Sequence, residues 1–271
     1  MKMKWIFLIP AFLMLTGCGD LFGSSKAPGD IPVEFTDLSL GEDCAWEVTV
    51  DKDLWKINYL AFYLSQPEVK VEGRWVPLNF VNNDWQSDKV AFLQFHHACD
   101  KKLNNNHILL DANEALLSRA TELRLTMGLS FDENHSLPVE QTPPLDKPTM
   151  YQSVNAGHNF FRVELQNTRE PGAIWSFLLA SGGCNGENAE TKPSDCAFPN
   201  RVTVKLPMAQ NVSDLSLLAK LQQILFRVDL KAVTECNMAG SHDKSCEKVM
   251  KNLTGREWLR WDAPEKVYLK S

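Results

Sequence analysis

Apolar and polar residues alternate with a period of two along several short stretches of this 271-residue chain. Leu123, Leu125 and Met127 alternate with Arg124 and Thr126; Phe161, Val163 and Leu165 with Arg162 and Glu164; Val202, Val204 and Leu206 with Arg201, Thr203 and Lys205. Successive side chains of a strand point to opposite faces, so this pattern predicts strands with one buried face. Residues 61–64 and 90–95 are apolar runs, and the continuous run 175–179 predicts a strand buried on both faces. Val69 and Val71 extend the first run to a turn at Gly73-Arg74, after which residues 75–78 form the next strand. About eight strands at this spacing predict an all-β sandwich or barrel, with long loops.

The period changes near the C-terminus. Leu217, Leu218, Leu221, Ile224, Leu225 and Val228 recur at three- and four-residue spacing after Ser213, which predicts a helix with Ser213 as its N-cap. A second short helix over 245–253 ends at Gly255. Val267-Tyr268-Leu269 has the character of a last strand.

The N-terminus reads as an address. Lys2 and Lys4 precede an apolar run over 5–15 that is too short to span a bilayer and has the build of a secretory signal. Leu15-Thr16-Gly17-Cys18 resembles a bacterial lipobox, in which the Cys18 thiol accepts the lipid. Gly19 after the cysteine favours the outer membrane, and several acyl chains anchor stably where one does not. The expected plan is a signal peptide over 1–18, a Gly/Ser/Pro-rich tether over 19–32 and one domain over 33–271, lipid-anchored and facing the periplasm. A net charge of −6 and the lack of a basic, aromatic-laced patch argue against nucleic-acid binding.

Cys18 apart, six cysteines remain: Cys44, Cys99, Cys184, Cys196, Cys236 and Cys246. An exported chain meets an oxidising compartment. Proximity pairs Cys184 with Cys196 and Cys236 with Cys246, each across a short polar loop, and leaves Cys44 with Cys99. A thiolate metal site is the competing idea, but no CxxC pair or zinc-ligand spacing occurs.

Candidate chemistry concentrates in the long connection between the strands near residues 125 and 163. His135 opens it, Met150 lies within it and His158 closes it. Connections of this length in a compact domain are functional or disordered. Two imidazoles and a thioether suit copper or, for the imidazoles, zinc. His96-His97, at the end of a strand, are alternative ligands; His107 and His242 read as solvated loop residues. A hydrolase has no support, because no GxSxG elbow occurs, and Ser181-Gly182-Gly183-Cys184 lacks the Lys-Ser/Thr of a phosphate loop.

Several pieces, in order, resemble the MbnP-like family. They are Asp84-Trp85-Gln86 with 90–95; 125–131 followed by Asn134-His135; Pro144-Leu145, Met150-Tyr151 and 157–162; 181–184 with Cys196 and Pro199-Asn200-Arg201; and Cys236 with Cys246. The resemblance implies an exported, copper-binding β-sandwich that is not an enzyme, paired with a MauG-like di-haem protein that oxidises a tryptophan near the copper. The family's WxW falls here on Gln152 and Val154, and a histidine expected before the glycine-cysteine piece falls on Leu178. The first expectation is therefore a copper-binding lipoprotein with His135, His158 and Met150 as ligands. The alternative is a metal-free structural or partner-docking lipoprotein on the same scaffold. In a third reading Trp85 or Trp175 replaces the missing tryptophan.

Overall fold

The computed structural model describes residues 26–208, 216–231, 234–239 and 244–262. Cys18 and the signal segment, Ser213, His242 and the last strand expected at Val267-Tyr268-Leu269 lie outside the described residues.

One strand, Asp53–Val71, is the spine of a ten-stranded sheet. Along one edge it takes Trp46–Val50, Val90–Gln94 and Arg74–Pro77 in turn. Along the other it takes Phe161–Asn167 and Ala120–Met127. Ile174–Leu179 and then Glu235–Asn237 extend the sheet beyond the first of these, and Val202–Pro207 extends it beyond the second. A strand of 19 residues is long against the usual ten or so at most. It serves two sets of partners because it bends. Gln66 has φ 51°, Pro67 follows, and the register to Ala120–Met127 shifts between Ser65 and Glu68. The hairpin to Arg74–Pro77 closes through Glu72 and Gly73, both at positive φ (51° and 78°), as right-handed strand twist demands of a two-residue turn.

A four-stranded sheet forms the second layer of the all-β sandwich, in the order Leu259–Trp261, Leu217–Ala219, Asp30–Phe35, His107–Leu109. Aromatic rings join the layers. Phe35 meets Phe95 edge-on at 4.9 Å, and Phe62 lies between Phe95 and Trp258 at 6.1 and 6.3 Å. Alternation is as the sequence predicts in Phe161–Asn167 and Val202–Pro207. Ile174–Leu179 also alternates: Trp175, Phe177 and Leu179 are buried while Leu178 is half-buried, so this strand is not enclosed on both faces.

The helix expected from Ser213 is corrected over its described part. Residues Leu217–Ala219 are a strand, parallel to Asp30–Phe35, and only Leu221–Ile224 is helical. Leu217 and Ala219 bury at a spacing of two, then Leu221, Ile224 and Leu225 at helical spacing, so one apolar pattern serves both elements. The second helix spans Lys244–Gly255, as expected. Single turns at Glu114–Leu117 and Phe131–Asn134 were not foreseen.

All three disulfides pair as the spacing predicts: Cys44–Cys99, Cys184–Cys196 and Cys236–Cys246.

Candidate metal centre

The helical turn Phe131–Asn134 sets the site. Ser130 and Glu133 form a capping box, in which the Ser130 hydroxyl accepts the Glu133 N–H and the Glu133 carboxylate accepts the Ser130 N–H. The turn ends on His135, whose N–H donates to the Phe131 carbonyl at 3.1 Å. The backbone at His135 is thereby held from both sides.

Asn134 is fully enclosed and fixes what surrounds it. Its Oδ1 accepts the His158 N–H at 2.8 Å, which leaves Nδ2 to donate, and Nδ2 lies 3.1 Å from His135 Nε2 and 3.4 Å from Ser181 Oγ. Nε2 of His135 is therefore the acceptor nitrogen. Nδ1 carries the proton and gives it to the Val154 carbonyl at 3.0 Å. The Phe131 ring covers the imidazole at 4.6 Å. Burial pushes the His135 pKa below its ordinary value, against the opposing pull of the Val154 carbonyl.

The Nε2 lone pair is taken by Asn134 Nδ2, with sulfur at its side. Cys196 Sγ lies 3.4 Å away, and His135, Cys184 and Cys196 place one ligand atom each within 4.8 Å of one another. Among the described residues this is the single such group of three. The two sulfurs are bonded to each other at 2.09 Å.

The other expected ligands are placed differently. His158 is buried beside His135, but its Nδ1 faces the Asn134 carbonyl at 3.2 Å and its Nε2 the Leu145 carbonyl at 3.1 Å, so neither nitrogen is free of a backbone oxygen. Burial lowers its pKa as well. Met150 is wholly buried in the core, where its carbonyl accepts the Asn159 N–H at 2.6 Å. His96 and His97 are half-buried, with both backbone N–H groups on Asn104 and both Nδ1 atoms buried without a hydrogen-bond partner. The His96 ring lies 6.0 Å from that of Tyr59, whose hydroxyl bonds Thr149, and neither histidine belongs to the His135 group.

The positions that depart from the family pattern have structural duties. Gln152 donates to Asn159 Oδ1 at 2.5 Å, Val154 lends its carbonyl to His135, and Leu178 pairs within the sheet. Trp175 is fully buried, while Trp85 is half-buried, stacks on Phe92 and lies under Lys147.

A metal tests this donor set as follows. His135 fits once Asn134 Nδ2 turns from it: its acceptor nitrogen is oriented by a backbone carbonyl on the opposite nitrogen, the arrangement that fixes metal-bound histidines. The sulfurs fit by position, but a disulfide lacks the negative charge that makes a thiolate a strong ligand. The signal that sequence reasoning missed is the approach of Cys184 and Cys196 to His135, a contact across 61 residues that no local pattern carries.

The sequence pattern of the MbnP family matches residues 29–245. The solved structure of MbnP from Methylosinus trichosporium is similar over 82% of this chain and 86% of its own, with a TM-score of 0.62 at 19% identity, a likeness of fold. No curated protein matches the chain. With the match running over most of the strands of both sheets and the connection that carries His135 and His158, the chain belongs to the MbnP family.

Proposed function

We propose that this chain is a lipid-anchored, periplasm-facing copper-binding protein, not an enzyme, that serves copper handling together with a MauG-like di-haem protein. The observation that carries the metal reading is His135, a buried imidazole whose tautomer is fixed with Nε2 unprotonated, accepting only from Asn134 Nδ2 and lying beside two sulfurs. Preference for copper, and the partner, come from the family resemblance. The anchor comes from the lipobox at Cys18. His158 acts here as the post that orients Asn134, and Asn134 in turn orients His135.

The test is metal content. The full chain, exported in copper-supplemented cells and purified in detergent, is expected to carry close to one copper, and His135→Ala to lose it. A wild-type chain free of copper overturns this reading.

A second reading, metal-free partner docking, has its own support. Phe131, Leu137 and Val139, on the segment around His135, are 38%, 42% and 89% exposed, an apolar group beside the site. Copper-free protein that still binds the di-haem partner establishes it.

A further inference from the structure

Resting on the metal reading above, we infer that the Cys184–Cys196 bridge is a redox gate on affinity: when it is reduced, the two thiolates and His135 Nε2 hold one soft monovalent cation of the Cu(I) type, and when it is oxidised His135 holds that cation more weakly, without thiolate.

The geometry is close to assembled. Metal–thiolate bonds of about 2.3 Å and metal–imidazole bonds of about 2.0 Å place neighbouring donors roughly 3.5–4 Å apart. His135 Nε2 already stands 3.4 Å from Cys196 Sγ. The two bonded sulfurs have to separate, and Asn134 Nδ2 has to give up His135 Nε2 for Ser181 Oγ, which lies 3.4 Å from Nδ2. The segments that hold them allow this. Gly182–Cys184 and Cys196–Phe198 form an isolated two-stranded ribbon outside both sheets, with Cys184 directly opposite Cys196. Gly183 in that ribbon is exposed, at φ 63°. His135 need not move, because the capping box, the Phe131 carbonyl and the Val154 carbonyl fix it.

Access separates this bridge from a purely structural one. Cys184 and Cys196 are half-buried, whereas Cys236 and Cys246 are 0% and 1% exposed. Cys44–Cys99 is also reachable, with Cys99 exposed, but it belongs to no group of three metal-ligating side chains among the described residues. Soft cations prefer thiolate, and thiolates appear here only when the bridge opens.

The reductant is a dithiol. One of its thiolates attacks Cys184 Sγ, the Cys184–Cys196 bond breaks and Cys196 leaves as thiolate towards His135 Nε2. The second thiol of the donor then displaces Cys184 and the donor becomes a disulfide. Two electrons and two protons pass to the cysteines. Both protons are released when one cation binds both sulfurs, which makes uptake pH-dependent.

The test is an anaerobic Cu(I) titration of the full chain in detergent against a chromophoric Cu(I) chelator, before and after dithiothreitol treatment, with thiols counted by alkylation and mass measurement. Cys184 and Cys196 are expected to be alkylated ahead of Cys236 and Cys246. The reduced chain is expected to bind one Cu(I) more tightly than the oxidised chain by at least about tenfold, with a thiolate–copper charge-transfer band. His135→Gln is expected to weaken reduced-state binding by a similar factor, and Cys44→Ala/Cys99→Ala to leave it unchanged. Equal binding in both states removes the gate and leaves the copper reading standing. Binding in neither state removes both. Reduced His135→Gln that binds as wild type, with its native circular dichroism, also overturns the inference.

Discussion

Asn134 ties the His135 imidazole to the His158 backbone through one side-chain amide, and the space it occupies is kept open by a missing side chain. A Cβ on Gly157 would stand 2.4 Å from the Asn134 amide atoms, and Gly157 holds φ 75°, a left-handed conformation that costs other residues about 1–2 kcal/mol. Gly157→Ala is therefore expected to lower stability by roughly 2 kcal/mol or more and to displace His158, seen as a lower urea midpoint with an altered His158 ring signal. An unchanged midpoint contradicts this account. At this scale the sequence was half legible. Asn134-His135 and Gly157-His158 stood out by composition, but the bond from one pair to the other depends on the loop closing on itself. For the same reason the backbone carbonyls that engage His158 could not be read from residue types.

At the scale of elements, the turn at Phe131–Asn134 was not foreseen, although its capping partners are near in sequence. Ser130 and Glu133 have the spacing of a capping box, and the turn they cap ends on His135. Ser130→Ala is expected to cost about 1 kcal/mol and to increase hydrogen exchange at the His135 amide, measured by thermal melting and by amide exchange. No change in exchange would mean that the turn is held by its neighbours alone. The region 217–228 shows the opposite case. Its spacing fits a helix, yet the helix that forms is one turn, capped from afar: Asp37 accepts the Leu221 and Gln222 N–H groups at 3.0 and 2.7 Å. No local cap marks that start, because Lys220 makes none. Pairing with Asp30–Phe35 and Leu259–Trp261 then draws Leu217–Ala219 into a strand. Propensity is a weak prior against two ladders of backbone hydrogen bonds.

For the whole molecule, the all-β class followed from period, the sandwich from the family resemblance, and two of the bridges from their short loops, which left Cys44 with Cys99. The bend of the spine strand at Gln66 and Pro67 did not, because it answers to partners on both edges. Stability as a function of pH is also a property of the whole chain. Burial lowers the pKa of His135 and His158 in the fold, so below about pH 6.5 the unfolded chain binds more protons than the folded one. Their contribution is complete above that pH and is lost as the pH falls through their lowered values. The denaturant midpoint is expected to drop between pH 7 and pH 5, and to drop less in His158→Gln; a flat profile in the wild type contradicts this.

The parallel ladder between Asp30–Phe35 and Leu217–Ala219 also sets a timetable. The cap from Asp37 to Leu221 spans 184 residues. At synthesis rates of about 5–20 residues per second, that stretch takes on the order of 10 to 40 s to emerge. Throughout that interval Asp30–Phe35, the first strand among the described residues, has at least one unpaired edge, a template for any other chain that arrives first. For this protein the hazard of misassembly lies at its own beginning, and it ends only when the last quarter of the chain is in place.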